Sequence, residues 1–162
     1  RSARPLHIEP GGSFCDYISF YLGPRPVMLY AIKNGFNVTL VPQQEIVYLV
    51  TSFLKIQELS CNYVFSDGHG YAAITRWFNN PDDFEELDWD MIYTNQWYDT
   101  EEDTDRKRRK QAEFLVNNEL TLRAIEKIVV YNQNSLDFVN NLLRIYSDID
   151  YISTEIVEAY YY

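Results

Sequence analysis

Asp105-Arg106-Lys107-Arg108-Arg109-Lys110-Gln111-Ala112-Glu113-Phe114-Leu115-Val116 sets five consecutive bases against the start of an apolar run, with one carboxylate at the junction. Ala112 to Val116 has the composition of a strand, so Glu113 stands where a basic segment enters a sheet. A carboxylate beside that much positive charge stays ionised and can act as a base or polarise a hydroxyl. Spacing alone favours a plainer alternative: a solvated charge run flanking an edge strand, with Glu113 paired to a neighbouring base.

Upstream of the bases the charge inverts. Residues 81–105 carry eleven acids and no base, whereas residues 1–80 hold six Lys/Arg against five Asp/Glu. The total charge of −10 argues against a nucleic-acid partner. A phosphate backbone, however, responds to the local field within a Debye length of about 8–10 Å, where the basic block dominates. The acidic stretch also contains Trp89, Tyr93, Trp97 and Tyr98. A segment so polar reads as a long loop, and long loops inside compact domains are usually functional. Acids repel phosphates, so this loop is expected to fold away from a bound strand or to face solvent.

The remaining composition sets bounds. At 162 residues, 46% hydrophobic and 23% charged, the chain suits one folded domain, taken as residues 1–162. Fourteen tyrosines raise the aromatic share to 16%, which fits core edges and stacking surfaces equally well. No stretch reaches the roughly 20 apolar residues of a membrane helix, and no signal peptide is expected behind Arg1-Ser2-Ala3-Arg4-Pro5. Cys15 and Cys61 lack disulfide-framework or metal spacing, so no metal is expected and a cytoplasmic setting is the simplest.

Along the chain, Phe14 to Phe20 reads as a strand with Phe14, Ile18 and Phe20 on one face. Val27 to Lys33 reads as a helix stopped at Asn34-Gly35. Glu45 to Val50 suggests a buried strand and Asn62 to Phe65 a shorter one. Ser66-Asp67-Gly68 reads as a turn opening a helix from Tyr71 to Phe78, with Asp67 as its N-cap and Pro81 as its stop. Lys127 to Tyr131 reads as a strand, Leu136 to Tyr146 as an amphipathic helix and Thr154 to Tyr162 as a closing strand. Elements interspersed without a βαβ rhythm favour an α+β fold. No glycine-rich phosphate loop is present, so any dinucleotide must bind in another way.

Three segments together resemble the DarT family of DNA ADP-ribosyltransferases. The basic run into Gln111-Ala112-Glu113 is similar to the family's Arg/Lys-rich segment before its catalytic glutamate. Gly11-Gly12, Asp16-Tyr17, Phe20-Tyr21 and Pro24-Arg25-Pro26-Val27-Met28-Leu29 resemble its Gly-Gly, Asp-Tyr, Phe-Tyr and Pro-x-x-Pro-Met-Leu series. Phe65-Ser66-Asp67-Gly68-His69 resembles its Phe-Thr-Asp-(Gly/Ser)-His turn. Their order and spacing together are hard to obtain by chance.

The resemblance implies an ADP-ribosyltransferase fold, a split mixed β-sheet with flanking helices, that uses NAD as co-substrate to modify a base, usually thymine, in single-stranded DNA. It implies Glu113 and His69 as catalytic residues, and Arg25, Tyr21 and Tyr17 as cofactor-binding residues. It also implies a macrodomain antitoxin as partner of a toxin. A guanidinium forks onto phosphate oxygens, which suits Arg25 to NAD. Arg106, Arg108 and Arg109 are expected to meet DNA phosphates. Gly11 and Gly12 are expected to serve backbone geometry. Family members carry an upstream strand whose histidine helps bind NAD, and His7 lies instead in a Pro-rich lead-in. An incomplete NAD site, and with it a catalytically inactive module binding single-stranded DNA or the antitoxin, is therefore the alternative. A transferase acting on protein or RNA is a third possibility.

Overall fold

The computed structural model describes residues 3–149 and 151–162. The chain divides into two compact units, the first formed by the segment up to Val27 with Cys61–Leu120, the second by Met28–Ser60 with Thr121–Tyr162.

The first unit is built on a four-stranded antiparallel sheet in the order β1-β5-β3-β4. Its strands are β1 (Tyr17–Tyr21), β3 (Tyr63–Ser66), β4 (Trp77–Phe78) and β5 (Glu113–Asn117). Strand β5 is central and Phe114, Leu115 and Val116 are buried along it, as expected of a strand covered on both faces. The register pairs Tyr21 with Glu113 and Phe20 with Phe114. It also pairs Phe65 with Phe114, and Phe65 with Phe78 and Ser66 with Trp77. One row across the sheet is therefore Tyr21, Glu113, Ser66 and Trp77, and the adjacent row is all phenylalanine.

Adjacent rows face opposite sides, so the two faces have different chemistry. Phe65 stacks on Phe78, Phe84 and Phe114 at centroid separations of 5.5, 4.2 and 6.4 Å. On the other face Val64, Leu115 and Tyr17 pack with Leu6 and Phe14, and Trp77 closes over them. This face also carries Glu113.

The second unit holds a mixed three-stranded sheet in the order β2-β6-β7. Strand β2 (Tyr48–Val50) is antiparallel to β6 (Lys127–Val130), which is parallel to β7 (Ser153–Ile156). The parallel crossover is made by helix α5 (Gln133–Leu143), capped by Asn132, whose side chain accepts the Ser135 N–H at 3.0 Å. Val139 of α5 packs with Ile125, Ile128, Val130 and Ile152. Helices α1 (Val27–Asn34) and α2 (Phe53–Glu58) complete the unit. The fold is α+β, as the sequence implies, with one antiparallel and one mixed sheet.

Several elements differ from expectation, each for a local reason. Phe14–Asp16 is a 3-10 turn, and the strand starts at Tyr17, because the Asp16 carboxylate accepts the Ser13 N–H at 2.7 Å and fixes a reciprocal cap. The helix expected over Tyr71 to Phe78 is absent. Asp67 instead accepts the Arg76 backbone N–H and its Nε, both at 3.0 Å, which folds the segment back into β4. Asp67 is thus an ion-pair partner and not an N-cap. Pro81 starts a 3-10 turn, Pro81–Glu86, capped by Asn80.

Within the acidic stretch α3 (Trp89–Tyr93) forms behind an Asp88 cap. The five bases form helix α4 (Arg106–Lys110). The strand before Val50 is short because Gln43–Glu45 turns first, and the C-terminal strand stops at Ile156 before another turn, Glu158–Tyr160. Gly11 and Gly12 take positive φ angles of 83° and 90°, consistent with their expected backbone role.

Candidate active site

Glu113 heads the central strand directly after α4 and Gln111-Ala112, and it is only 3% exposed. Its backbone N–H donates to Ser66 Oγ at 3.2 Å, and that hydroxyl donates to the Gly68 carbonyl at 2.7 Å. Ser66 therefore pins the head of β5 to the turn that follows β3. Directly across β1, Tyr21 is 47% exposed. The row thus joins a buried carboxylate to a half-exposed aromatic ring, and burial strengthens electrostatic interactions at the carboxylate.

Arg25 lies in the loop between β1 and α1, between Pro24 and Pro26. Its φ is +50°, a left-handed conformation that costs a non-glycine residue on the order of 1 kcal/mol or more and persists only where surrounding structure enforces it. Two contacts enforce it. Arg25 Nη2 donates to the Tyr93 carbonyl at 2.9 Å. Lys110 Nζ donates to the carbonyls of Pro24 at 3.0 Å and Ile92 at 2.6 Å. Gly23 admits the close approach, since a Cβ there would lie 2.8 Å from the Ile92 carbonyl oxygen. Lys110 is 4% exposed, and burial, then the charge of Arg25, pushes its pKa down to about 8.

The third part is the turn after β3. The His69 N–H donates to the Arg108 carbonyl at 2.9 Å, and the His69 carbonyl accepts from Thr75 Oγ1 at 2.7 Å. Arg108 reaches both Asp67 and Asp105, with Nη1 and Nε each 2.7 Å from a carboxylate oxygen. Gly68 is required here, because an added Cβ would sit 2.3 Å from Arg108 Nη1 and 2.9 Å from the Arg108 carbonyl oxygen.

Burial pushes the Asp67 carboxyl up, but the Arg76 backbone N–H and the guanidiniums of Arg76 and Arg108 outweigh it and hold its pKa below the usual range. A carboxylate so lowered contributes stability that is present above its unfolded pKa and lost as pH falls through the folded value. The stability gap between the wild-type protein and Asp67→Asn should therefore close in denaturant titrations as pH falls below the ordinary carboxylate value of about 4. A gap independent of pH would mean that charge is not its source.

Glu113, Tyr21, Arg25 and His69 are thus joined through α4 and the head of β5. Tyr17 is not. It sits four residues back along β1, buried with Leu6 and Phe14, and its hydroxyl donates to the Gly11 carbonyl at 2.5 Å. Four strand residues span about 13 Å, so Tyr17 is set into the core some way along the strand from Tyr21.

The basic block is likewise held within the chain. Arg109 pairs with Asp88, Asp103 and Asp105, Arg108 with Asp67 and Asp105, and Arg106 donates to the carbonyls of Tyr98 and Gln96. Asp88, Asp103 and Asp105 of the acidic stretch turn onto the bases, whereas Asp82, Glu85, Asp90, Glu101 and Glu102 are exposed, as expected of a segment facing solvent. Arg106, Arg108 and Arg109 therefore all donate within this chain, Arg108 and Arg109 to carboxylates and Arg106 to backbone carbonyls. Opposite charges adjacent in sequence neutralise each other at short range, which composition suggests but cannot orient.

Ser66 and Lys110 are working residues that sequence analysis missed. Ser66 was legible only as a turn residue. Burial of one lysine among five bases leaves no trace in composition. Among the described residues, no group of three His, Cys, Asp or Glu side chains is placed to hold a metal ion. No helix among them is long and apolar enough to cross a membrane.

Residues 1–162 match the family model described as "ssDNA thymidine ADP-ribosyltransferase, DarT". A curated "DNA ADP-ribosyl transferase" of Thermus sp. (strain 2.9) is 36% identical over 135 residues, covering 83% of this chain and 63% of that protein. The chain therefore spans less than two thirds of that relative's length. Among solved structures, Thermus sp. 2.9 DarT in complex with carba-NAD+ superposes with a TM-score of 0.90 at 32% identity, over 100% of this chain and 82% of the other. The same protein in complex with ADP-ribosylated ssDNA gives a TM-score of 0.93 at 32% identity, over 100% and 76%.

Proposed function

Since the chain belongs to the DarT family, we propose that it transfers ADP-ribose from NAD to thymine in single-stranded DNA, as the toxin of a toxin–antitoxin pair reversed by a macrodomain antitoxin. One observation carries the reading: Glu113 is buried at the head of the central strand, in register with exposed Tyr21 and tied by its own backbone to the His69 turn. The Thermus complexes with carba-NAD+ and with ADP-ribosylated ssDNA support both substrates. The residues also fit a dinucleotide. Arg25 is held in a left-handed loop four residues beyond Tyr21, whose half-exposed ring is in register with the buried carboxylate of Glu113.

When bound, NAD supplies an anomeric carbon from which nicotinamide departs with the bonding electron pair. Arg25 would meet pyrophosphate oxygens with the guanidinium N–H groups not given to Tyr93, and Tyr21 would stack on the departing ring. Glu113 accepts a hydrogen bond from the neighbouring ribose hydroxyl, stabilising positive charge as the bond breaks. It then takes the proton from the base nitrogen as that nitrogen bonds to the anomeric carbon. His69, on its fixed turn, holds a ribose hydroxyl or the base. A single strand suits this site, because its bases need no extrusion from a duplex. A DNA substrate also fits the cytoplasmic setting.

The test is intact-mass analysis of short single-stranded oligonucleotides incubated with the protein and NAD. The expected result is a gain of one ADP-ribose on a thymine-containing strand and none on a strand without thymine. Equal modification of both strands would overturn the base assignment. No gain on any strand, with oligonucleotide binding retained, would overturn the enzymatic reading in favour of an inactive binding module.

A further inference from the structure

We propose that Lys110 is the positioning residue that sets Arg25 for NAD, acting through the Pro24 carbonyl from inside the protein. This rests on the reading of Arg25 as an NAD contact. Lys110 ends α4, three residues before Glu113, and is the only base of the block that is buried. Its ammonium spans two elements, the loop of Arg25 through Pro24 and the end of α3 through Ile92. The next carbonyl on α3, that of Tyr93, receives the Arg25 guanidinium. Arg25 is therefore gripped at both ends, its backbone by Lys110 and its head by α3, with φ held at +50° between two prolines.

Charge supports the same conclusion. Burying an ammonium is unfavourable, and placing it within Coulombic reach of a guanidinium is more so. A structural tether alone would be better made by a neutral donor. A bound dianionic pyrophosphate offsets the repulsion between the two cations, so the pair is suited to the loaded site. The covalent path also matters. Because Lys110 and Glu113 share one short segment, the cation site and the carboxylate are set by the same piece of chain, which fixes both ends of the substrate together.

The test is a double-mutant cycle of Lys110→Met and Arg25→Ala, read as separate KM values for NAD and oligonucleotide. Lys110→Met should raise the KM for NAD about tenfold, the order expected for lost charge-assisted hydrogen bonds. The oligonucleotide KM should move less than about twofold, and in the Arg25→Ala background the same substitution should change little. Should the methionine variant not fold, Lys110→Gln, which keeps an amide donor, carries the cycle with a smaller NAD effect. Additive losses, or equal losses for both substrates, would overturn the positioning role. An unchanged NAD KM in Arg25→Ala alone would show that the NAD reading of Arg25 is wrong and would remove this proposal with it.

Discussion

Glu113→Gln should lower kcat/KM for transfer by about 10²- to 10⁴-fold, the range attributed to a general base and to electrostatic stabilisation of developing charge. The substitution is close to isosteric, so the packing around a side chain that is 3% exposed should survive. The backbone bond to Ser66 Oγ should also survive, since it uses the main-chain N–H. What is lost is the negative charge and the capacity to accept a proton. NAD and oligonucleotide should therefore still bind with affinities within a fewfold of wild type, and the melting temperature should hold. Single-turnover kinetics with separate binding titrations would check this. Wild-type transfer by the Gln variant would sink the catalytic assignment of Glu113.

Arg108→Met should destabilise the protein by about 3–5 kcal/mol, the usual cost of removing one partner from a buried ion pair. Its side chain is 14% exposed and Asp67 only 10%, so Asp67 would lose one guanidinium in a poorly solvated place and keep only Arg76. For a chain of this size the melting temperature should fall by roughly 6–20 °C. Transfer should fall with it, because the turn that carries His69 leans on Arg108 through both its carbonyl and its guanidinium. Calorimetry beside a salt titration of oligonucleotide binding separates this from phosphate contact. A surface phosphate ligand would leave the melting temperature alone and flatten the salt dependence, which is the outcome that would favour the DNA role of Arg108.

The contrast between Glu113 and Arg108 shows what was legible in the sequence. Glu113 stands out through the resemblance of Gln111-Ala112-Glu113 and the bases before it to a family motif, since spacing alone favours an ion-paired residue on an edge strand. The strands over Tyr63–Ser66, Glu113–Asn117 and Lys127–Val130 are legible because β-branched and aromatic runs bury wherever they pair. The helix expected over Tyr71 to Phe78 failed because Asp67 and Arg76, nine residues apart, pair side chain to backbone and outweigh local propensity. Propensities amount to tenths of a kcal/mol per residue, and a few such contacts override them.

By itself the sequence determined the α+β class, the family, the carboxylate at the entrance of a strand and the adjoining blocks of opposite charge. These depend on residue identity, order and spacing, which the chain displays directly. Only the tertiary structure decided which bases were spent within the protein. It withdrew Tyr17 into the core, put Tyr21 across from Glu113, and gave Ser66 and Lys110 their work. Each of these outcomes depends on register and burial between segments tens of residues apart, such as Lys110 with Pro24 or Arg108 with Asp67. A charge acquires its function from whether it meets water, a carboxylate or a carbonyl, and that choice is made when distant strands pair.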